Sequence, residues 1–144
     1  MRTFQTINIE KIVKERFVRY KELENNEVMY EEFMCDDADI VIVAYGITAR
    51  IAKSAVKAAR EKGVKAGLFR CITLYPFPVK ELASLSHKVK RFLSVEMNMG
   101  QMVNDVKVAT DCRVPVTHYG RTGGVIPTVK EITDEIMRLS EKEG

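Results

Sequence analysis

Four short segments of the sequence carry the side chains that could take part in chemistry. They are residues 46–48, 71–75, 96–101 and 118–124, and each follows an apolar run that predicts a β-strand. In parallel α/β sheets, loops at the carboxyl ends of the strands meet at one edge, where ligands and partners bind. We therefore expect these segments to be neighbours, and we call them the strand-end loops.

The first strand-end loop could present backbone N–H groups to an anion, because a helix is predicted to begin there. The segment Gly46 to Arg50 holds a single glycine, and no acidic residue follows the second strand where a ribose would need one. A dinucleotide site is therefore not favoured. In the alternative interpretation, Gly46 only permits a tight turn and Thr48 caps the helix.

The last strand-end loop is richer in glycine and carries Arg121, a planar donor suited to phosphate or carboxylate groups. It lacks the Gly-Lys-Ser/Thr ending of a P-loop. Docking on another subunit is the favoured role of the segment Gly120 to Gly124. Binding of a small anion and a plain surface turn remain alternatives.

Glu96 ends a predicted central strand, where a partly buried carboxyl group could act as a general acid or base. The alternative is a carboxylate satisfied by the N–H groups of the next helix, or by Arg50 or Arg121. The alternative is favoured.

His118 is the histidine of the strand-end loops, and a lone histidine is usually a packing residue. An independent enzyme using Glu96 and His118 would need the two side chains within about 8 Å, a distance that one water can bridge. The sequence shows neither a metal-ligand spacing nor a nucleophile elbow. We assign no catalytic residue. The candidates for contact with a partner or an anion are Gly46, Thr48, Arg50, Glu96, Asn98, Gly100, Gln101, His118, Arg121, Thr122, Gly123 and Gly124.

Composition limits the class of protein. The chain has 144 residues, 46% of them hydrophobic and 30% charged, with a net charge of +3, so a nucleic-acid partner is not indicated. No apolar run approaches the roughly 20 residues of a membrane span, and no secretory segment is evident, so we expect a cytoplasmic protein. The three cysteines lie far apart without a CxxC motif, and we expect reduced, mostly buried thiols.

Charge is unevenly distributed. Residues 22–39 hold eight acids and no base, whereas residues 50–70 hold seven bases and one acid. Two solvated faces of opposite sign are the favoured interpretation. The alternative is a basic helix that faces an acidic partner protein.

The predicted elements form an α/β/α sandwich with a mostly parallel sheet. Residues 40–44 read as a buried strand, a helix with its apolar face at Ala52, Ala55, Val56 and Ala59 follows, and 64–69 is a second strand. Further strands are predicted at 28–33 (an edge strand), 91–95 and 114–119. An amphipathic helix is predicted over 6–25, capped by Thr6 or Asn8.

Three more helices are predicted along the chain. Pro78 can start a short one through Leu82 and Leu85, and a methionine stripe from Met99 to Val106 indicates another. The last helix begins with a capping box at Thr128 and Glu131. Its predicted inner face is Val129, Ile132, Ile136 and Leu139.

Three ordered segments, residues 38–78, 95–106 and 118–128, resemble the C-terminal domain of the alpha subunit of 2-oxoacid:ferredoxin oxidoreductases (2-oxoglutarate, 2-oxoisovalerate or pyruvate type). That domain has the transketolase C-terminal-domain fold. The resemblance covers about residues 8–139. It implies a five-stranded, mostly parallel sheet with 28–33 as an antiparallel edge strand. It also implies that residues 1–27 form an N-terminal arm and residues 28–144 the domain.

The resemblance implies an assembly role. The complete enzymes of that family convert a 2-oxoacid to an acyl-coenzyme A on thiamine diphosphate and pass electrons through iron–sulfur clusters to ferredoxin. The thiamine-facing domain and any diphosphate–magnesium signature are absent here, so we expect thiamine diphosphate, magnesium and clusters on partner domains or subunits. The chain alone is expected to be inactive and to meet ferredoxin only indirectly, with a homodimer possible. The alternative is a free-standing module that binds a phosphorylated or carboxylated ligand.

Overall fold

The computed structural model describes residues 2–142, with side chains described from residue 8 onward except at 23–25. It contains five strands and five helices within that range. In chain order they are α1 (Arg2–Asn26), β1 (Tyr30–Phe33), β2 (Ile40–Tyr45), α2 (Gly46–Glu61), β3 (Ala66–Cys71), α3 (Val79–Leu85), β4 (Arg91–Glu96), α4 (Met102–Thr110), β5 (Val116–Gly120) and α5 (Val129–Glu141).

The sheet has the order β1-β3-β2-β4-β5, and β1 alone runs antiparallel, paired with β3. The predicted mixed sheet with an antiparallel edge strand is therefore confirmed. Strand β2 lies at the centre because its β-branched run is apolar on both faces: Ile40 to Ala44 are fully buried.

Helices cover both faces of the sheet. Helices α2 and α5 cover one face, where Ala52 and Ala55 meet Ile132 and Ile136. Helices α3 and α4 cover the other, with Leu82 and Met102 in its core. The predicted three-layer sandwich is confirmed, and every strand except β1 ends at the same edge.

Several predicted details of the helices are wrong. Helix α1 begins at Arg2, so neither Thr6 nor Asn8 caps it. Helix α4 begins at Met102, and Met99 before it is 86% exposed rather than part of a buried stripe. Val129 at the start of α5 is likewise exposed. At Thr128 the predicted cap is present, because its hydroxyl accepts the N–H of Glu131 at 3.1 Å.

Helix α1 stands apart from the sandwich. Its described apolar side chains are exposed, and its ring contact with the domain is an edge-on approach of Tyr20 to Tyr75, with centroids 6.4 Å apart. The predicted helix is present, but the domain does not cover its predicted apolar face. The residues of that face, Ile9, Ile12, Val13, Phe17 and Tyr20, are all exposed, and so is Val18.

Candidate functional site

The four strand-end loops follow β2, β3, β4 and β5, which are parallel neighbours, so they share one edge as predicted. The start of β1 lies at this edge too, because β1 is antiparallel and the N–H of Ile72 donates to the carbonyl of Met29 at 3.0 Å. The connection from α1 therefore arrives at the same edge.

Glu96 is fully buried at the end of β4, and its carboxylate caps helix α4. Oε1 accepts the N–H groups of Gln101 at 3.2 Å and Met102 at 2.5 Å. Oε2 accepts the N–H of Val103 at 3.2 Å and the hydroxyl of Ser94 at 3.2 Å. The favoured interpretation, a carboxylate satisfied by the next helix, describes this geometry, whereas Arg50 and Arg121 do not supply those bonds.

The loop between Glu96 and α4 is held by Asn98. Its Oδ1 accepts the N–H of Gly100 at 2.8 Å and of Gln101 at 3.2 Å. Gly100 has φ +110°, a conformation that side-chain-bearing residues rarely adopt. This turn delays the helix to Met102, which is why Met99 projects into solvent.

His118 lies beside Glu96, with Nδ1 3.2 Å from Oε2. The approach is close without the alignment of a hydrogen bond, and Nδ1 is buried without another partner among the described residues. The 8 Å limit set for a Glu96–His118 pair is therefore met. The carboxylate is nonetheless committed to four other donors, so the pair alone does not make an acid–base site.

Arg121 contacts the rest of the domain through both its backbone and its side chain. Its N–H donates to the carbonyl of Glu96 at 3.2 Å, and its guanidinium lies 3.5 Å from Oε2 of Glu131. The hydroxyl of Tyr119 donates to the same carboxylate oxygen at 2.9 Å. Burial, followed by the bond to Glu131, raises the pKa of Tyr119. Further along, Gly123 and Gly124 both have positive φ, and an added Cβ at either would meet nothing within 4 Å.

The first strand-end loop is not joined to Glu96 or Arg121 by a hydrogen bond or ion pair among the described residues. Gly46 has φ +57° and begins α2 directly. Thr48 does not cap the helix, since its hydroxyl donates back to the carbonyl of Tyr45 at 2.6 Å. Arg50 is exposed on the second turn of α2.

Exposed apolar side chains collect at the strand-end edge. We call this set the strand-end surface; its members are Met29, Ile47, Ile72, Leu74, Tyr75, Met99, Val125 and Ile126. On the described loops of the opposite edge, Met34 is the large hydrophobic residue with comparable exposure. Sequence reasoning missed this asymmetry, although most of these residues lie in or next to a predicted loop, where an apolar side chain signals contact.

Several bases of residues 50–70 pair with acids of residues 22–39 of the same chain. Arg60 of α2 pairs with Asp37 at 2.7 Å, and Arg70 of β3 lies 3.6 Å from Glu31 of β1. Lys53 approaches Glu31 at 4.0 Å and lies over the ring of Phe33. The basic helix thus has an acidic neighbour in its own chain.

Among the described residues, no three His, Cys, Asp or Glu side chains are grouped so as to hold a metal ion. Cys35 and Cys71 are buried and Cys112 is exposed, and all three are free thiols.

Within the part of the chain that the structure describes, no helix has the length and apolar character needed to cross a membrane.

Comparison with known families decides the assignment. The model of the family described as pyruvate:ferredoxin oxidoreductase core domain II matches residues 38–132. The chain belongs to this family.

Relatives with curated names agree with the family assignment. The chain is 47% identical over 122 residues to ketoisovalerate oxidoreductase subunit VorB of Methanothermobacter marburgensis, covering 85% of this chain and 34% of the relative. It is 34% identical over 130 residues to 2-oxoglutarate synthase subunit KorA of the same organism, covering 90% of this chain and 35% of the relative. The chain thus spans about a third of the length of the curated relatives it matches.

Solved structures support the fold. A 2-oxoglutarate:ferredoxin oxidoreductase from Magnetococcus marinus, with 2-oxoglutarate, coenzyme A and succinyl-CoA bound, superposes with a TM-score of 0.80 at 21% identity, covering 92% of this chain and 23% of that one. A split gene transketolase superposes with a TM-score of 0.62 at 16% identity, covering 76% of this chain and 40% of that one. The predicted transketolase C-terminal-like fold is confirmed.

Proposed function

We propose that this domain, described in its family as core domain II, is an assembly unit of a 2-oxoacid:ferredoxin oxidoreductase. The observation that carries the proposal is the strand-end surface. Its apolar side chains lie on the loops of one edge, where α/β proteins bind ligands and partners. Exposed apolar groups at such a place favour contact with another polypeptide. Thiamine diphosphate, magnesium, iron–sulfur clusters and the contact with ferredoxin then belong to other domains or subunits.

The hydrogen bonds and the ion pair beneath the strand-end surface suit a docking role. Glu96, Asn98 and Gly100 hold loop 97–101 in one conformation, and the Arg121–Glu131 contact holds the start of the glycine-rich loop. A preorganised surface loses less conformational entropy on binding. The alternative, a module that binds a small phosphorylated or carboxylated ligand, is not favoured, because the guanidinium of Arg121 already faces a carboxylate.

The experiment uses the VorB relative as a surrogate partner. We would produce VorB of M. marburgensis without the third that this chain matches and measure whether this chain binds the remainder in trans, by size-exclusion chromatography and calorimetry. Tyr75→Ser should weaken the complex by about tenfold or more, since large aromatic groups dominate interfaces. Arg121→Ala should also weaken it.

The matched control is Met34→Ser, which removes an exposed apolar side chain from the opposite edge. It should leave the affinity unchanged. If wild-type chain does not associate with the VorB remainder, or if Met34→Ser weakens the complex as much as Tyr75→Ser, the assembly role is wrong. Neither the chain nor its variants should turn over a 2-oxoacid alone.

A further inference from the structure

The imidazole of His118 lies against Gly120 and Gly100, and of these two positions only Gly120 is too close to the ring to carry a side chain. A Cβ at Gly120 would lie 2.5 Å from Nε2, and one at Gly100 would lie 3.5 Å from Cδ2 of the same ring. Gly100 is followed by α4, whereas Gly120 belongs to the strand that carries His118. A side chain at position 120 would displace the ring, so the local sequence accommodates an imidazole here.

Glu96 decides which nitrogen of the ring carries the proton. Both carboxylate oxygens accept hydrogen bonds, Oε1 from Met102 and Oε2 from Val103, so neither is free to donate towards His118. Nδ1 lies 3.2 Å from Oε2 and is buried with no other partner among the described residues. The oxygen beside Nδ1 is an acceptor, so the contact is attractive when Nδ1 carries the ring proton and repulsive when Nδ1 presents its lone pair. The contact therefore favours the tautomer with the proton on Nδ1, although the two atoms are not aligned as in a full hydrogen bond.

In a neutral imidazole one nitrogen donates and the other accepts. With the proton on Nδ1, the lone pair lies on Nε2. A quarter of the His118 side chain is exposed, although Nδ1 is buried. Nε2 makes no hydrogen bond to a described residue and yet is not among the fully buried polar atoms that lack a partner, so it is accessible.

A second acceptor lies next to Nε2. The carbonyl oxygen of Asn98 would lie 2.3 Å from a Cβ at Gly120, and Nε2 would lie 2.5 Å from that same point. No backbone N–H of the described turns and loops donates a hydrogen bond to this carbonyl. Two acceptors close together repel an anion, and they suit a group that offers more than one N–H.

We propose that Glu96, His118 and the carbonyl of Asn98 form a docking point on the strand-end edge for a nitrogen donor group of the adjoining polypeptide. An amide, ammonium or guanidinium group has the required N–H donors. The role of Glu96 is positioning, since it fixes the tautomer of His118 without meeting the partner. This inference rests on the proposed assembly function, and it adds the chemistry that the partner must present.

The first test measures the tautomer directly. Long-range ¹⁵N–¹H spectra of the chain, recorded at about pH 8, where imidazole side chains are generally neutral, should show His118 with a protonated Nδ1 and an unprotonated Nε2. His87→Gln assigns the two histidines, because His87 is the other one and is exposed. Finding the proton of His118 on Nε2 would overturn the proposal without any variant at the site.

The second test measures docking on the VorB remainder. His118→Phe keeps a ring in the slot but removes Nε2, and it should weaken the complex by about tenfold, as expected for one hydrogen bond of about 1.4 kcal/mol. His87→Gln should not change the affinity. In the wild-type complex the Nε2 resonance should shift, as a lone pair that gains a donor does. The amide spectrum of His118→Phe checks that the fold is retained.

The outcomes separate the two proposals. A complex that forms with an unshifted Nε2 resonance, or one that His118→Phe leaves equally tight, rejects this docking point while the assembly function stands. A wild-type chain that does not bind the VorB remainder rejects both. If His118→Phe loses its fold, the resonance shift in the wild-type complex decides the question.

Discussion

At the level of single residues, the carboxylate of Glu96 takes the part that an N-cap side chain takes in other helices. Gln101 at the N-cap of α4 makes no side-chain cap. The first N–H groups of the helix are satisfied instead by a carboxylate from the end of β4. One side chain thus connects a strand, a loop and a helix.

Replacing Glu96 by Ala should lower the free energy of unfolding by about 3 kcal/mol, because buried N–H groups of Met102 and Val103 would lose their acceptor. Urea denaturation followed by circular dichroism measures this loss. Glu27→Ala is the control, since Glu27 is exposed and should matter little. A loss below about 0.5 kcal/mol in Glu96→Ala would contradict the capping role.

The buried thiols should lower the stability of the fold at alkaline pH. Burial raises the pKa of Cys35 to about 11 and that of Cys71 to about 12, from an ordinary 9.0. Their contribution is complete below the pKa of the unfolded thiols. As pH rises from about 9 to about 12, the unfolded chain loses protons that the folded chain keeps, so the free energy of unfolding should fall. Urea titrations at several pH values measure it.

The control for the alkaline limit is a double variant, Cys35→Ala with Cys71→Ala, which should lose less stability over the same pH interval. An aromatic disulfide reagent should label Cys112 in the folded chain at about pH 8 and the other thiols only after denaturation. Rapid labelling of Cys35 in the folded chain would show that its burial is incomplete in solution.

Residue-level prediction from the sequence succeeded where the cause is local. Glu96 lies between a strand and a helix start, so its bonds to the following N–H groups could be expected. The direct contact with His118 could not, because it depends on the pairing of Ser94 with His118 across β4 and β5 and on the space that Gly120 leaves for the ring.

At the level of elements, Arg60 fastens helix α2 to the edge of the sheet. Its Nε donates to the carbonyl of Ala66 at 2.7 Å, and Nη2 donates to the carbonyl of Met34 at 2.7 Å. The same guanidinium pairs with Asp37. The turn after β1, in which Met34 has φ 56°, is therefore held from the helix.

Arg60→Lys should destabilise the fold by about 1–2 kcal/mol, because an ammonium cannot reproduce the fork that reaches two carbonyls. Thermal unfolding measures the change. Lys57→Arg is the control, because it exchanges one cation for another on the same helix and should leave the stability nearly unchanged. An Arg60→Lys variant as stable as the wild type would show that the charge alone, and not the fork, holds the turn.

Elements with strong periodicity were predicted well, and their ends were not. The apolar face of α2 and the run of β2 match the structure because burial on one or both faces dictates their pattern. Met99 continued the spacing of α4 but lies before its start, since the Asn98 turn and Gly100 end the helical geometry there. Periodicity carries no information about such a turn.

At the level of the whole molecule, the described apolar side chains of helix α1 are exposed rather than packed against the sandwich. The predicted division into residues 1–27 and 28–144 remains a prediction. Removing residues 1–27 should change the free energy of unfolding by no more than about 1 kcal/mol, since the aromatic contact of Tyr20 with Tyr75 is the ring packing lost. Urea denaturation of the shortened chain measures this. A much larger loss would show that α1 belongs to the core of the domain.

The antiparallel direction of β1 has a consequence for how tightly the proposed docking surface must bind. Because β1 begins at the edge that carries the strand-end surface, helix α1 joins the domain at that edge. A neighbour joined covalently through α1 would be held beside its contact site at an effective concentration in the millimolar range. Contacts with a micromolar dissociation constant would then be almost fully occupied within one continuous polypeptide. The same contacts would be only partly occupied between separate chains at micromolar concentration, so a division of the subunit into two polypeptides would demand a tighter surface.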